Sequence, residues 1–362
     1  MTHRYGAWAR RLNSIRSQGQ YRQLKPILPT GPTTGILEGK ERVLAASNDY
    51  LGLAWSHKHH GRGAGSSRLI TGTRPMHVTL ERELEEWLGR PALLFGSGYQ
   101  ANLAVFSTCC TADQTIASDE RNHASIIDGI RLSRANRVIL PHADPTAIPE
   151  ATDLIAIEGL FSMDGDIPPI SDYPSSPLLA VDEAHALGCL GPGGRGASAA
   201  VNRVPDILIG TFGKAFGAAG AFVAGPPELR ELLINAGRSF IYTTAPPESV
   251  VHAALQGLRT IRARPELRER LQENAHELRR SLRNQGWEVL GSAHILPILT
   301  GEHTMEIADH LLKNGVFAPG IRYPTVARGS ERIRVTLSAA HTPDQLRTIA
   351  DAFESARIKF KR

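Results

Sequence analysis

Thr211-Phe-Gly-Lys-Ala-Phe-Gly217 follows the apolar run Ile207-Leu-Ile209, and upstream of it Asp182-Glu-Ala-His185 closes the run Leu178-Leu-Ala-Val181. A lysine amine becomes a Schiff-base nucleophile where a dry site suppresses its charge. Pyridoxal 5'-phosphate (PLP), the cofactor that uses such an amine, also needs an anionic partner for its pyridinium nitrogen. In a parallel sheet, residues just past the carboxyl ends of strands converge on one crevice. Asp182, His185 and Lys214 are therefore expected to meet around PLP, although the chain separates them.

Further short apolar runs surround this pair: Ala92-Leu-Leu-Phe95, Thr115-Ile-Ala117, Arg137-Val-Ile-Leu140, Leu154-Ile-Ala-Ile157 and Ala221-Phe-Val-Ala224. They alternate with helical patterns, which predicts an α/β fold with a mostly parallel sheet covered by helices. From about Pro246 the pattern changes. Helical periodicity through Leu267, Leu271, Leu278 and Leu282 stops at Gly286, and after it come Ile295 to Leu299, a helix around Met305 to Leu312, and the strand Arg332-Ile-Arg-Val-Thr-Leu337. The expected division is an N-terminal helix and arm over 1–45, a large domain over 46–245 and a smaller α+β domain over 246–362. With 362 residues and 41% hydrophobic content the chain can bury a sizeable core.

The formal charge of +5 comes from residues scattered along the chain, with no basic tract or zinc-finger spacing, so anionic small molecules rather than nucleic acid are the expected partners. Cys109, Cys110 and Cys189 are too few for a disulfide framework and suit a reducing, cytoplasmic setting. The most apolar long stretch, 206–225, is interrupted by Lys214 and glycines and does not read as a membrane span. The arginine-rich, acid-poor N-terminus has the look of a transit peptide, but Trp8, Leu12 and Ile15 fall at the spacing of a helix that packs one face on a body, and that reading is preferred.

Four segments add candidate chemistry. Gly96-Ser-Gly-Tyr-Gln-Ala-Asn102 lies between a strand and a helical pattern, where backbone amides cradle a phosphate, though glycine turns there are also ordinary punctuation. His123, in Arg121-Asn-His-Ala-Ser125, follows a strand and can lie flat on a pyridine ring; a lone histidine is equally a structural residue. The acids of Glu158-Gly-Leu-Phe-Ser-Met-Asp-Gly-Asp166 lack calcium-loop spacing, so a shaped turn and no metal site is expected. Along the last strand Arg332, Arg334 and Thr336 share a face, either a solvated one or one that clamps a substrate carboxylate.

Taken in order, Ser47-Asn-Asp-Tyr-Leu-Gly52, Arg121–Ser125, Glu158–Asp166, Asp182–His185, Thr211–Lys214 and Arg332–Leu337 resemble the motifs of the α-oxoamine synthases, fold-type I PLP transferases, over nearly the whole chain from about Arg22. The resemblance implies that Lys214 carries PLP as a Schiff base, Asp182 pairs with the pyridinium nitrogen, His185 bonds the phenolic oxygen and His123 stacks on the ring. It further implies that Gly98, Tyr99 and Thr211 hold the phosphate with Ser162 beside the cofactor, and that Thr244 reaches the phosphate across a homodimer interface. Arg334 and Asn48 would then grip the amino-acid carboxylate, and Arg22 and Thr325 would meet the substrate.

The implied reaction is a decarboxylating condensation of L-alanine with an acyl-CoA or acyl-carrier protein, expected to be the pimeloyl thioester of biotin biosynthesis. The freed Lys214 amine would act as base at the α-carbon. Two other readings stay open: another family member that uses glycine and an acyl-CoA, and a PLP-binding protein without catalysis. The chain departs from the family pattern between Gly52 and Gly63, between Leu140 and Asp153, and between Asp166 and Val181. In the last of these, Pro168, Pro169, Pro174 and Pro177 forbid the usual crossover helix, so extended or tightly looped connections are expected.

Overall fold

The computed structural model describes residues 17–19, 27–31, 33–46, 50–52 and 67–360. Its centre is a seven-stranded sheet formed by β4 (Ala92–Phe95), β5 (Thr115–Asp119), β6 (Asn136–Leu140), β7 (Leu154–Glu158), β8 (Leu178–Asp182), β9 (Ile207–Thr211) and β10 (Ala221–Ala224). The spatial order is β4-β10-β9-β8-β7-β5-β6, and β10 alone runs antiparallel to its neighbours. β10 returns directly from β9 by a tight turn in which Gly217 and Gly220 have φ of 65° and 93°. Such angles are easy for glycine and strained for other residues. The apolar runs form these strands because a strand buried on both faces needs no polar alternation.

Successive side chains alternate between the two faces. On one face Leu93, Phe95, Ile116, Leu154, Ala156, Ala180, Ile207 and Ile209 pack with buried residues of helices α2 (Gly98–Thr108) and α3 (Ala124–Ser133). The other face has two different covers. At the β4-β10-β9 end, Ala92, Leu94, Leu208 and Phe222 share a core with helices α1 (Pro75–Leu88), α5 (Glu248–Ala263) and α6 (Glu266–Asn284); α4 (Pro227–Ala236) closes the first face beside α2. At the β7-β8 end, Ile155, Ile157, Leu179 and Val181 pack against Ile170, Tyr173 and Ile148. The links here, β6 to β7 and β7 to β8, contain only the single turns Pro145–Ala147 and Ile170–Asp172. The proline-rich connection is thus looped, and its apolar side chains stand in for a helix.

Beyond α6, strands β11 (Ile295–Leu299), β13 (Gly320–Ile321) and β14 (Arg332–Thr336) make a three-stranded antiparallel sheet backed by α7 (Thr304–Lys313) and α8 (Pro343–Phe360). The leucine periodicity of α6 buries Leu271, Leu278 and Leu282, and Gly286, with φ of 92°, follows its end. Residues 27–44, read as an arm, form β1 (Ile27–Pro29), β2 (Thr34–Leu37) and β3 (Lys40–Leu44), and β3 pairs in parallel with β12 (Val316–Phe317). The expected helix around Trp8, Leu12 and Ile15 lies outside the described residues, as does most of the shortened stretch after Gly52.

Candidate active site

Strand parity assembles the site. Glu158 and Asp182 end neighbouring strands as register partners, and with Thr211 at the end of β9 they share the parity of Ala156, Ala180 and Ile209. All three side chains therefore project beyond the carboxyl edge on the α2 and α3 side. Lys214 stands on the β9–β10 turn, which is closed by Gly217 N–H donating to Lys214 O at 3.0 Å and Phe212 N–H donating to Gly220 O at 2.9 Å. The residue is half-buried, with its amine at the enclosed end.

Burial depresses the Lys214 pKa, and the nearby Arg334 charge adds to that, while Asp182 and then Glu158 oppose it. Burial also lowers the pKa of His185 well below its ordinary value, helped by Lys214 and Arg334. His123 is lowered by burial and by Lys214, against the pull of Asp182; the residue as a whole is exposed, but its Nδ1 edge is enclosed against Ser125. Glu158 is pushed up to about 8 by burial and by the Asp182 charge. These six groups sense one another's charge, so the structure gathers Lys214, Asp182, His185, His123 and Arg334 at a single site.

Arg332 and Arg334 are both buried, which rules out the solvated-face reading of the last strand. Arg334 Nε donates to Ser162 O at 2.5 Å, and Arg332 holds Met163 O at 3.0 Å and Asp164 at 2.7 Å. The shaped turn after β7 is thereby bound to the smaller domain. Gly98 opens α2, with Ser97 Oγ accepting Gln100 N–H as the cap. Its own N–H and that of Tyr99 belong to the first turn, which has no intrahelical acceptor. The Tyr99 ring lies edge-on to His123 at 6.4 Å, and its hydroxyl bonds Asp128. Thr244 is exposed and pairs through its backbone with Ser67; Thr325 is exposed in the loop after β13. Arg22 and Asn48 lie outside the described residues.

The donor set fits PLP. An amine whose charge is disfavoured sits in the field of a buried aspartate, and a Cβ built on Gly98 would fill the gap facing Thr211, at 3.8 Å from its Cβ and 3.9 Å from Oγ1. Such a gap above free helix-terminal amides suits a phosphate.

Four residues here had no role in the expectation drawn from sequence. Asn102 donates to Asp182 Oδ2 at 2.8 Å and to Ser125 Oγ at 2.9 Å, and Ser125 Oγ lies 2.7 Å from His123 Nδ1. A buried relay thus joins Asp182 to His123. Tyr50 OH lies 2.7 Å from His185 Nδ1. Glu158 accepts the His123 N–H at 2.7 Å. Parity along β7 could have found Glu158; the other three depend on packing between distant segments.

A mostly parallel sheet with an enclosed lysine amine and a buried aspartate at its carboxyl edge defines a fold-type I PLP transferase. The profile of the family described as aminotransferase class I and II matches residues 41–353. The 8-amino-7-oxononanoate synthase of Trichlorobacter lovleyi is 39% identical, with 93% of this chain and 94% of that protein covered. Among solved structures, the serine palmitoyltransferase of Sphingomonas wittichii superposes with a TM-score of 0.90 at 27% identity, covering 100% of this chain and 99% of that one. The 8-amino-7-oxononanoate synthase of Francisella tularensis gives 0.77 at 29% identity, over 88% and 98%. The chain belongs to the aminotransferase class I and II family and, within it, to the α-oxoamine synthases, as a PLP-dependent acyltransferase.

Proposed function

We propose that this protein condenses L-alanine with the pimeloyl thioester of coenzyme A or of a carrier protein, releasing the thiol and carbon dioxide, to form 8-amino-7-oxononanoate for biotin synthesis in the cytoplasm. The observation that carries this reading is the placing of the enclosed Lys214 amine, on the β9–β10 turn, at the same strand edge as Asp182 and Glu158, with burial disfavouring its charge. PLP, when bound, supplies an electron sink for the α-carbon of the amino acid.

The chain's own residues do the rest. Lys214 would hold the cofactor, and its Nζ, whose charge burial disfavours, would take the α-proton. Asp182, steadied by the Asn102 amide, would pair with the pyridinium nitrogen. His123 would cover the ring, His185 would bond its phenolic oxygen, and Gly98, Tyr99, Thr211 and the partner copy's Thr244 would hold the phosphate, with Ser162 alongside. Arg334, pinned by Ser162 O, would grip the substrate carboxylate together with Asn48 and so orient the α-carbon for reaction. Arg22 and Thr325 meet the substrate. A homodimer is part of this reading: Ile70 and Tyr242, 75% and 72% exposed, place apolar surface beside Thr244 for a second copy to cover.

The TM-score of 0.90 to serine palmitoyltransferase favours a second reading in which another amino acid and acyl chain react on the same lysine. Purified protein with PLP, offered alanine, glycine or serine with acyl-CoAs of several lengths while free thiol is followed, separates the two. Thiol release is expected with alanine and pimeloyl-CoA or the pimeloyl carrier protein. Silence with both pimeloyl donors, and turnover with serine or glycine instead, rejects the first reading.

A further inference from the structure

We infer that Tyr50 is a positioning residue that fixes the proton of His185 on Nε2, joining the Arg334 carboxylate clamp to the imidazole at the cofactor. The inference deepens the proposed function and rests on it for what the Nε2 proton is used for, though not for where that proton sits.

Tyr50 is fully buried, and its hydroxyl lies 2.7 Å from His185 Nδ1. Its ring stands edge-on against His294, with centroids 4.2 Å apart at 62°, so the phenol cannot swing away without breaking that packing. The Arg334 guanidinium is also near enough for its charge to act on the phenol oxygen. A positive charge favours the lone pairs of that oxygen turned toward it and its O–H turned away, toward His185 Nδ1 at 2.7 Å. Burial raises the Tyr50 pKa, which keeps that proton in place.

On the other side, burial, Lys214 and Arg334 hold His185 neutral. A neutral imidazole has one donor nitrogen and one acceptor. With Nδ1 accepting from Tyr50, the remaining proton lies on Nε2 and is available to an anionic acceptor such as the phenolic oxygen of PLP. The reverse arrangement, in which Nδ1–H donates to the phenol, turns the O–H dipole of the phenol toward the guanidinium charge and makes Nε2 a bare acceptor. A bare Nε2 would repel that same phenolic oxygen. The Arg334 charge thus orients the Tyr50 O–H, and the Tyr50 O–H orients His185 toward the cofactor.

The test is the tautomer itself. Protein with 15N-labelled histidine is studied with PLP bound and again after its removal, by long-range 1H–15N spectra, and the His185 signals are identified by their loss in His185→Gln. A bare Nδ1 and a protonated Nε2 are expected in both samples. In Tyr50→Phe, which keeps the ring against His294, His185 is expected to exchange between tautomers, and PLP to bind roughly fivefold to tenfold more weakly, the value of one hydrogen bond. A wild-type proton on Nδ1 overturns the inference even if Tyr50→Phe fails to fold, and so does an unchanged single tautomer in a folded Tyr50→Phe. Failure of borohydride to fix PLP onto Lys214 would sink the proposed function while leaving the tautomer result standing.

Discussion

The face of the central sheet away from α2 is covered in two ways, and the contrast separates what this fold needs for chemistry from what it needs for stability. At the β4-β10-β9 end three long helices cover it; at the β7-β8 end loops carrying Ile148, Ile170 and Tyr173 do, joined by Ile295 of β11. Both ends deliver a site residue, Lys214 from the β9–β10 turn and Glu158 and Asp182 from the ends of β7 and β8. The positions of these residues follow from strand register and parity. Trimming a crossover helix therefore leaves the carboxyl edge intact, provided the loops that replace it still fill the space beneath the sheet.

Two substitutions sharpen that contrast by pulling its terms apart. Lys214→Ala is expected to lower turnover by roughly 10³-fold or more, since it removes both the covalent link and the base, with little change in unfolding midpoint. Thiol release at saturating substrate measures the first, and denaturant unfolding the second. Ile170→Ala, at a side chain 1% exposed in the looped cover, should do the opposite and cost about 2 to 5 kcal/mol of stability while turnover of the folded fraction stays within about twofold. If turnover collapses instead, the loops shape the site and the separation of roles is wrong.

The sheet was legible because buried strands announce themselves. Ala92–Phe95, Ala221–Ala224 and Ile295–Leu299 match the apolar runs end to end, and β7 and β8 extend them by the one acid that faces the cleft. Lys214, Asp182 and the histidines were legible because their chemistry is rare and ordered along the chain. The antiparallel direction of β10 was not, since an apolar run carries no sign of direction. Nor was the β3–β12 pairing, in which short strands from opposite ends of the chain meet. The burial of Arg332 escaped the alternation rule because its charge is met by Asp164, a contact between residues far apart in sequence.

The looped flank carries its own electrostatic fastening, which yields a smaller effect. His142 is hydrogen-bonded to Asp119 at 3.0 Å and to Asp166 at 2.9 Å; burial would lower its pKa, but the two carboxylates outweigh it and bring it up to about 9. A pKa raised by folding means the folded chain holds the proton more tightly. The stabilisation is complete below about 6.5 and is lost as pH rises through about 9. The shift corresponds to at most about 3 kcal/mol, reduced because Asp166 is partly exposed. Unfolding free energies across pH 6 to 10 should fall for the native chain and run flatter for His142→Gln. A native profile without that fall would show that loop contacts alone hold the flank.

Glu158 belongs to the site end of the comparison and gives the smallest effect. Its pKa of about 8 arises from burial and from Asp182, its register partner, so near neutral pH it is mostly a neutral acid that accepts the His123 N–H. Ionisation above pH 8 places two carboxylates side by side and pulls on the Lys214 amine, restoring the charge that burial suppresses. The rate constant kcat/KM for the amino acid is therefore expected to decline by a few-fold to tenfold above pH 8, roughly the effect of shifting one neighbouring pKa by a unit or less. Glu158→Gln keeps an oxygen for the His123 amide but cannot ionise, so its alkaline limb should flatten while its neutral-pH rate stays close to native. The midpoint near 8 also separates this effect from His142, which titrates higher and acts on unfolding rather than on rate. An alkaline limb that persists unchanged in Glu158→Gln would assign it to another group, with the Lys214 amine itself the first to examine by the pH dependence of its reaction with PLP.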